Sequence, residues 1–265
     1  MVFVRFSVLL ALISAFISAS VSICPAQLAK PLFDKTTLPQ AAPPRAAVPG
    51  LTSEQRGDIF MARKMFREAV DMYRECPADS PVTWNKIGIA YHQLLDLKDA
   101  KKNYERAMKL DKHYAEAVNN LGTVYYAIKN YRRAIGKYKQ ALKISPDSAS
   151  IYSNLGTAYF ARKNYKEAAE TYQIALKLDP EVFEHKGGYG VMLQERSTAE
   201  KAKFHYYLAR TYAQAGQNER ALLYIRKALE EGFTERKKLL EDSEFAALRS
   251  TPEFQELLAL EPRVL

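Results

Sequence analysis

One interval constrains this 265-residue chain more than any other feature: residues recur every 34 positions. Gly88, Gly122 and Gly156 are 34 apart, as are Tyr91, Tyr125 and Tyr159. The same spacing separates Ala100, Ala134 and Ala168, then Tyr104, Tyr138 and Tyr172, then Ala107, Ala141 and Ala175. A fixed period of this length marks a stack of small units, none of which can bury its apolar face alone. The chain is therefore expected to form a one-dimensional array, in which each unit touches only its neighbours.

Each unit reads as two helices. In the second regular unit, Leu121 and Tyr125 fall on the first helix, and Tyr138 and Leu142 on the second, at helical spacing. The glycine column and the first alanine column are expected where the two helices cross, since small residues let backbones approach. The tyrosine columns account for much of an aromatic excess, 17 Tyr against 12 Phe and 1 Trp. They read as packing side chains with a polar tip at the surface, not as platforms for nucleic-acid bases.

Trp84-x-x-Ile87-Gly88-x-x-Tyr91, followed by Ala100-x-x-x-Tyr104, resembles the signature of the tetratricopeptide repeat (TPR) family, and Pro146 and Pro180 stand where that family closes each unit. The resemblance covers 50–233 and implies an all-α fold: a right-handed superhelical solenoid of helix–turn–helix repeats, about five units with a C-terminal helical cap. The units are expected near 50–80, 81–114, 115–148, 149–182 and 202–233.

Two of the units are irregular. The first carries Gly57, Phe60, Phe66, Ala69, Tyr73 and Cys76, each 31 residues before its counterpart, which suggests a closing loop three residues short. Cys76 falls in an alanine column and reads as a small buried residue. The last carries Leu208, Ala209, Tyr212, Ala221, Ile225 and Ala228, displaced by 53 residues, which places an insertion of 19 at 183–201. Gly187, Gly188 and Gly190 break any helix there, and no Lys-Ser/Thr follows to make a phosphate loop. Ser197-x-x-Glu200 reads as a capping box for the next helix. Gly232 reads as a helix C′ residue, and Thr251-Pro252 as an N-cap with proline at N1. Residues 234–265 are expected to fold back as a cap over the last apolar face.

The N-terminus is of another kind. Arg5, the apolar run Phe6 to Ile17 and the small residues that follow have the layout of a secretory signal peptide over 1–26. Cleavage is expected after Ala26, with Ser20 and Ser22 as alternatives; after Ala26 it removes Cys24 and leaves Cys76 as the one thiol of the mature chain. Two alternatives are a retained anchor, since Phe6 to Ile23 is long enough for a minimal span, and a lipidated Cys24, against which Ile23 and Pro25 argue. Residues 27–49, with Pro31, Pro39, Pro43, Pro44 and Pro49, read as an extended tether. The body is thus expected outside the cytoplasm: periplasmic, secreted or membrane-anchored.

In tetratricopeptide arrays the first helix of each unit lines a concave groove. The resemblance places Asn85, Lys86, Ile89, His92 and Gln93 there, then Asn119, Asn120, Thr123 and Tyr126, then Ser153, Asn154, Thr157 and Phe160, and finally Tyr206, Tyr207, Arg210 and Gln214. The expected partner-binding set is Asn85, Lys86, Asn119, Asn120, Thr123, Asn154, Thr157, Tyr206 and Arg210. Asn120 and Asn154 share a column and resemble the asparagine ladders that grip a peptide backbone, because an amide both donates and accepts. Lys86, Asn120 and Asn154 match a carboxylate clamp only in part.

No catalytic site is expected. Two Cys and four scattered His offer no metal-ligand spacing, no Gly-x-Ser-x-Gly is present, and carboxylates lie on ordinary helix faces. No cofactor or metal is expected. The net charge of +9 sits largely on second helices, at Lys101, Lys102, Arg132, Arg133, Lys137, Lys139, Lys163 and Lys166, as a solvated outer face. No nucleic-acid partner is expected. The reading is an exported, non-enzymatic adaptor that holds a partner protein or peptide in its groove, for assembly of an envelope or secreted complex. The alternatives are a membrane-tethered scaffold that self-associates and an enzyme accessory subunit.

Overall fold

The computed structural model describes residues 50–184 and 197–259, and the expectations for 1–49, for His185 to Arg196 and for the last six residues lie outside them. The described residues are helical, with no strand among them. Ten helices form five pairs: α1 (Ser53–Ala62) with α2 (Phe66–Arg74), α3 (Pro81–Gln93) with α4 (Leu97–Leu110), α5 (Ala115–Ala127) with α6 (Tyr131–Ile144), α7 (Ala149–Ala161) with α8 (Tyr165–Leu178), and α9 (Thr198–Gln214) with α10 (Asn218–Glu230). The second helix of each pair also packs on the first helix of the next, most sparsely at α8–α9. Two short helices, α11 (Arg236–Glu241) and α12 (Pro252–Ala259), and a 3₁₀ turn at Ser243–Phe245 close the last unit.

Local chemistry sets the helix ends. The side chains of Ser80, Asp96 and Asn130 accept from the backbone N–H three residues on, satisfying donors that a helix start leaves open. Thr52 with Gln55, and Ser197 with Glu200, form reciprocal capping boxes. The turn inside each unit is one repeated device. Lys64, Leu95, Lys129, Lys163 and Gly216 all adopt φ between 60° and 73°. This left-handed residue lets the next N–H reach back to the helix, as in Asp96 N–H to Tyr91 O (2.9 Å) and Asn130 N–H to Tyr125 O (2.8 Å). Only the fifth unit meets the requirement with glycine; the other four carry the strain of a Cβ in that region.

The glycine column works differently from the backbone approach expected of it. A Cβ built on Gly57, Gly88, Gly122 or Gly156 would lie 2.4–2.6 Å from a ring carbon of Tyr73, Tyr104, Tyr138 or Tyr172. The glycines make room for a tyrosine ring from the partner helix, and those four rings are fully buried. In the fifth unit the same two columns hold Ala209 and Ile225, both fully buried. Where the ring gives way to an aliphatic side chain, the glycine gives way to alanine. Not every tyrosine keeps its tip at the surface. The Tyr73 hydroxyl donates to Asp58 and that of Tyr172 to Thr157, but the buried Tyr138 hydroxyl has no partner among the described residues.

The first unit is short for a different reason than a clipped loop. Its second helix, α2, spans 9 residues against 14 in α4, and the connection to α3 is the longer one. Cys76 therefore lies beyond the helix end, half-buried, with its thiol pKa raised by burial and by nearby carboxylates. The insertion is partly helical: α9 begins at Thr198 and runs 17 residues, a turn longer than the first helices of the regular units. Gly232, at φ 87°, ends α10, and Thr251 Oγ1 caps the start of α12.

Candidate partner-binding face

The first helices of the second to fourth units carry a continuous chain of side-chain amides. Asn154 Nδ2 donates to Asn119 Oδ1 at 3.0 Å, Asn119 Nδ2 to Asn120 Oδ1 at 3.3 Å, and Asn120 Nδ2 to Asn85 Oδ1 at 3.0 Å. Asn85 Nδ2 then donates to the Tyr114 hydroxyl at 3.2 Å. Asn85 is buried, while Asn119, Asn120 and Asn154 are half-buried. Each link uses one of an amide's two N–H groups and one of its two lone pairs, so the second of each is held in a fixed direction.

Lys86 shares a column with Asn120 and Asn154 but does something else. Its Nζ lies 2.8 Å from Glu54 Oε1 and 2.8 Å from Asp58 Oδ1, tying α3 to the first unit. Burial would raise the Asp58 pKa, but hydrogen bonds from Lys86 and Tyr73 outweigh it and hold the carboxyl below its usual range. Burial likewise opposes the Lys86 charge, and the two carboxylates outweigh it, raising that pKa. An ammonium so paired is not open to a ligand carboxylate.

The fifth unit is closed by the chain itself. Tyr206 stacks on Phe233 (centroids 4.5 Å apart, 13° between planes), and its hydroxyl donates to Asp242. Arg210 pairs with Glu244 and, at 3.4 Å, with Asp242, and Gln214 donates to Glu244 at 2.9 Å. The residues just after α11 thus cover this unit's contribution to the face.

A cleft of about 560 Å³ opens where the third, fourth and fifth units meet. Tyr126, Phe160 and Tyr165 line it, and Lys129, Lys163 and Lys203 stand around it. Tyr207 explains its position. Tyr207 falls in the Asn120/Asn154 column, yet it stacks on Tyr165, at the start of α8, with centroids 4.6 Å apart. The ladder ends at Asn154, and the fifth unit meets the fourth through aromatic rings, Phe160 to Phe204 (5.4 Å) and Phe160 to Tyr207 (5.7 Å) among them.

Family models described as tetratricopeptide repeat match residues 79–147, 119–183 and 153–233, together more than half of the chain. The chain belongs to the tetratricopeptide repeat family. No curated protein matches it. Among solved structures, a crystal structure of MamA is 22% identical and covers 69% of this chain and 96% of that one, with a TM-score of 0.46. A MamA fragment from Desulfovibrio magneticus RS-1 is 22% identical over 70% and 94%, with a TM-score of 0.47. The first TPR of Spaghetti (RPAP3), bound to an HSP90 peptide, is 22% identical over 41% and 88%, with a TM-score of 0.39.

Within this tetratricopeptide repeat array, the nine residues expected to bind a partner separate into three groups. Asn119, Asn120 and Asn154 come together on the half-exposed ladder, with Thr123 beside them, its hydroxyl donating to Asn120 O at 2.7 Å. Asn85, Thr157 and Tyr206 are buried, and Thr157 donates to Ser153 O and accepts from Tyr172. Lys86 and Arg210 are spent on carboxylates of the chain itself. Sequence reasoning missed the cleft. Tyr126 and Phe160 were placed in the groove, but the cations beside them were not, although Lys129 and Lys163 repeat at 34, because Lys163 read as outer surface. Nothing in the period tells how the displaced fifth unit docks.

Proposed function

We propose that this tetratricopeptide repeat protein is a non-catalytic adaptor that holds an extended segment of a partner protein along the first helices of its second to fourth units. The amide ladder carries the reading. Asn119, Asn120 and Asn154 are already oriented by one another, so a peptide backbone laid across them meets donors and acceptors whose side-chain entropy is largely lost beforehand. Amides pair with peptide N–H and C=O without reading side chains, which suits an adaptor that selects its partner elsewhere.

The finer part of the proposal concerns place. The pattern of 1–26 supports export, and the proline-rich 27–49 supports a tether that sets the array away from its cleavage or anchor point, for assembly of an envelope or secreted complex. The mass of the protein isolated from its cells tests export directly, since a mature N-terminus at Gln27 is expected and an intact Met1 would overturn cleavage.

A photo-reactive residue at Thr123, on the ladder, and another at exposed Lys143, on α6, test the groove in living cells. Adducts are expected at Thr123 and should vanish with Asn120→Ala and Asn154→Ala. Adducts at Lys143 alone would overturn the reading.

A further inference from the structure

The cleft between the third, fourth and fifth units differs from the ladder in chemistry. Five cations surround it and the shallow recess that adjoins it: Lys129, Lys163 and Lys203 at the cleft, and Arg132 and Arg162 with Lys129 at the recess. None of the five has an ion-pair partner among the described residues, though Lys203 Nζ lies over the Tyr165 ring, 4.5 Å from its centroid. Among the described residues that line the cleft the one acid is Glu200, whose carboxylate accepts the Ser197 backbone N–H at 3.3 Å as half of the capping box that starts α9. Unpaired like charges around a concavity repel one another and concentrate a field that an anionic ligand relieves.

The floor selects among anions. Tyr126 and Phe160 are only 7% and 5% exposed, and Tyr165 already stacks on Tyr207. A nucleobase needs an open ring face, and Tyr165 is stacked by Tyr207 and lies under Lys203 Nζ, 4.5 Å from its ring centroid. The lysines stand around a recess, so a flat bilayer surface meets fewer of them than a chain that enters it.

We infer that this cleft is a second docking site, for an acidic segment of a partner protein carrying an apolar anchor residue between its carboxylates. The anchor rests against the apolar lining of the cleft while the flanking acids pair with Lys129, Lys163 and Lys203. The site goes beyond the ladder reading: one face holds backbone without regard to sequence, the other reads charge and one side chain.

Fluorescence anisotropy with the full chain and short labelled probes tests this. An acidic peptide with a central phenylalanine is expected to bind more tightly than one with lysine in place of each acid, and replacing the phenylalanine by glycine weakens binding. Lys129→Glu with Lys163→Glu is expected to weaken the acidic peptide by about tenfold or more, from two reversed rim charges. Lys129→Gln with Lys163→Gln should weaken it less, and serves if the reversal disturbs folding. Lys139→Glu with Lys143→Glu, an equal change of charge on α6, should leave it unchanged. An equal loss there, or no preference for the acidic peptide, overturns the inference. So does tighter binding of a dT12 oligonucleotide or of phosphatidylserine vesicles, or dimerisation of the chain blocked by the Lys129/Lys163 reversal. Asn120→Ala with Asn154→Ala should not alter the preference for the acidic peptide, which separates failure of this site from failure of the ladder.

Discussion

Asn154 donates from its side-chain nitrogen to the side-chain oxygen of Asn119, 35 residues earlier, at 3.0 Å. The offset exceeds the repeat by one, so each unit's column meets the neighbouring column of the unit before it. Asn120 repeats the relationship with Asn85. A one-residue offset follows when parallel helices lie side by side and each long amide reaches across to its neighbour.

The ladder predicts non-additive substitutions. Asn119→Ala breaks two links and should cost about 1 kcal/mol, the net worth of hydrogen bonds to half-exposed groups. Asn154→Ala breaks one and should cost less. Because they share a bond, the double variant should cost less than the sum, as read from urea midpoints.

The opposition of Gly122 and Tyr138 predicts a compensating pair. Gly122→Ala should destabilise by about 1–3 kcal/mol, since its Cβ would lie 2.6 Å from Tyr138 Cε1. In a Tyr138→Ile background, copying the fifth unit, the same step should cost far less. Gly136→Ala, where nothing lies within 4 Å and the residue sits inside α6, should stabilise by about 0.5–1 kcal/mol. A denaturant series over the four variants checks all three steps.

The left-handed turns predict opposite signs at equivalent positions. Leu95, 69% exposed at φ 61°, should gain up to about 1 kcal/mol as glycine. Gly216→Ala, at φ 73°, should lose about as much. Thermal midpoints that move the same way for both would contradict this account of the turn.

The Tyr138 hydroxyl is buried without a partner among the described residues, whereas that of Tyr172 donates to Thr157 at 3.2 Å. Tyr138→Phe should therefore be neutral or stabilising by about 1 kcal/mol, and Tyr172→Phe destabilising by a similar amount. Unfolding midpoints of the two single variants decide it.

The Lys86–Asp58 contact predicts a pH window. The Asp58 pKa is lowered in the folded chain, so its contribution is complete above the ordinary carboxylate range, about pH 4, and is lost as pH falls through the folded value. The Lys86 pKa is raised, so its contribution is complete below about pH 10 and is lost as pH rises through the folded value. The stability difference between the wild type and Asp58→Asn should be constant from about pH 6 to 8 and shrink toward pH 3. A difference that grows on acidification would contradict the assignment.

Much of the fold was legible because a repeat reports the same physical demand several times. Tyr104, Tyr138 and Tyr172 had to pack alike, and they do. Punctuation was legible where chemistry is local: Ser197 with Glu200, Gly232 and Thr251 all end or start helices as read. The short α2 was not legible, because a three-residue deletion shortens helix or loop according to packing. The candidate site was legible in its residues but not in their engagement. Lys86 and Arg210 were visible as groove cations, while their partners, Asp58 and Glu244, lie 28 and 34 residues away in sequence.

The sequence by itself determined the two-helix unit, its count and its stacking, since those follow from the period and from apolar columns that no single unit can bury. It also determined which columns must be small, though not what fills the space they leave. Tertiary structure decided what each polar column does. Equivalent positions became an ion-pair partner in Lys86, amide links in Asn120 and Asn154, and an aromatic stack in Tyr207. A side chain's role there depends on what the neighbouring unit presents within about 3 Å of a polar atom, or within van der Waals reach of a ring, and a repeat period carries no information about that.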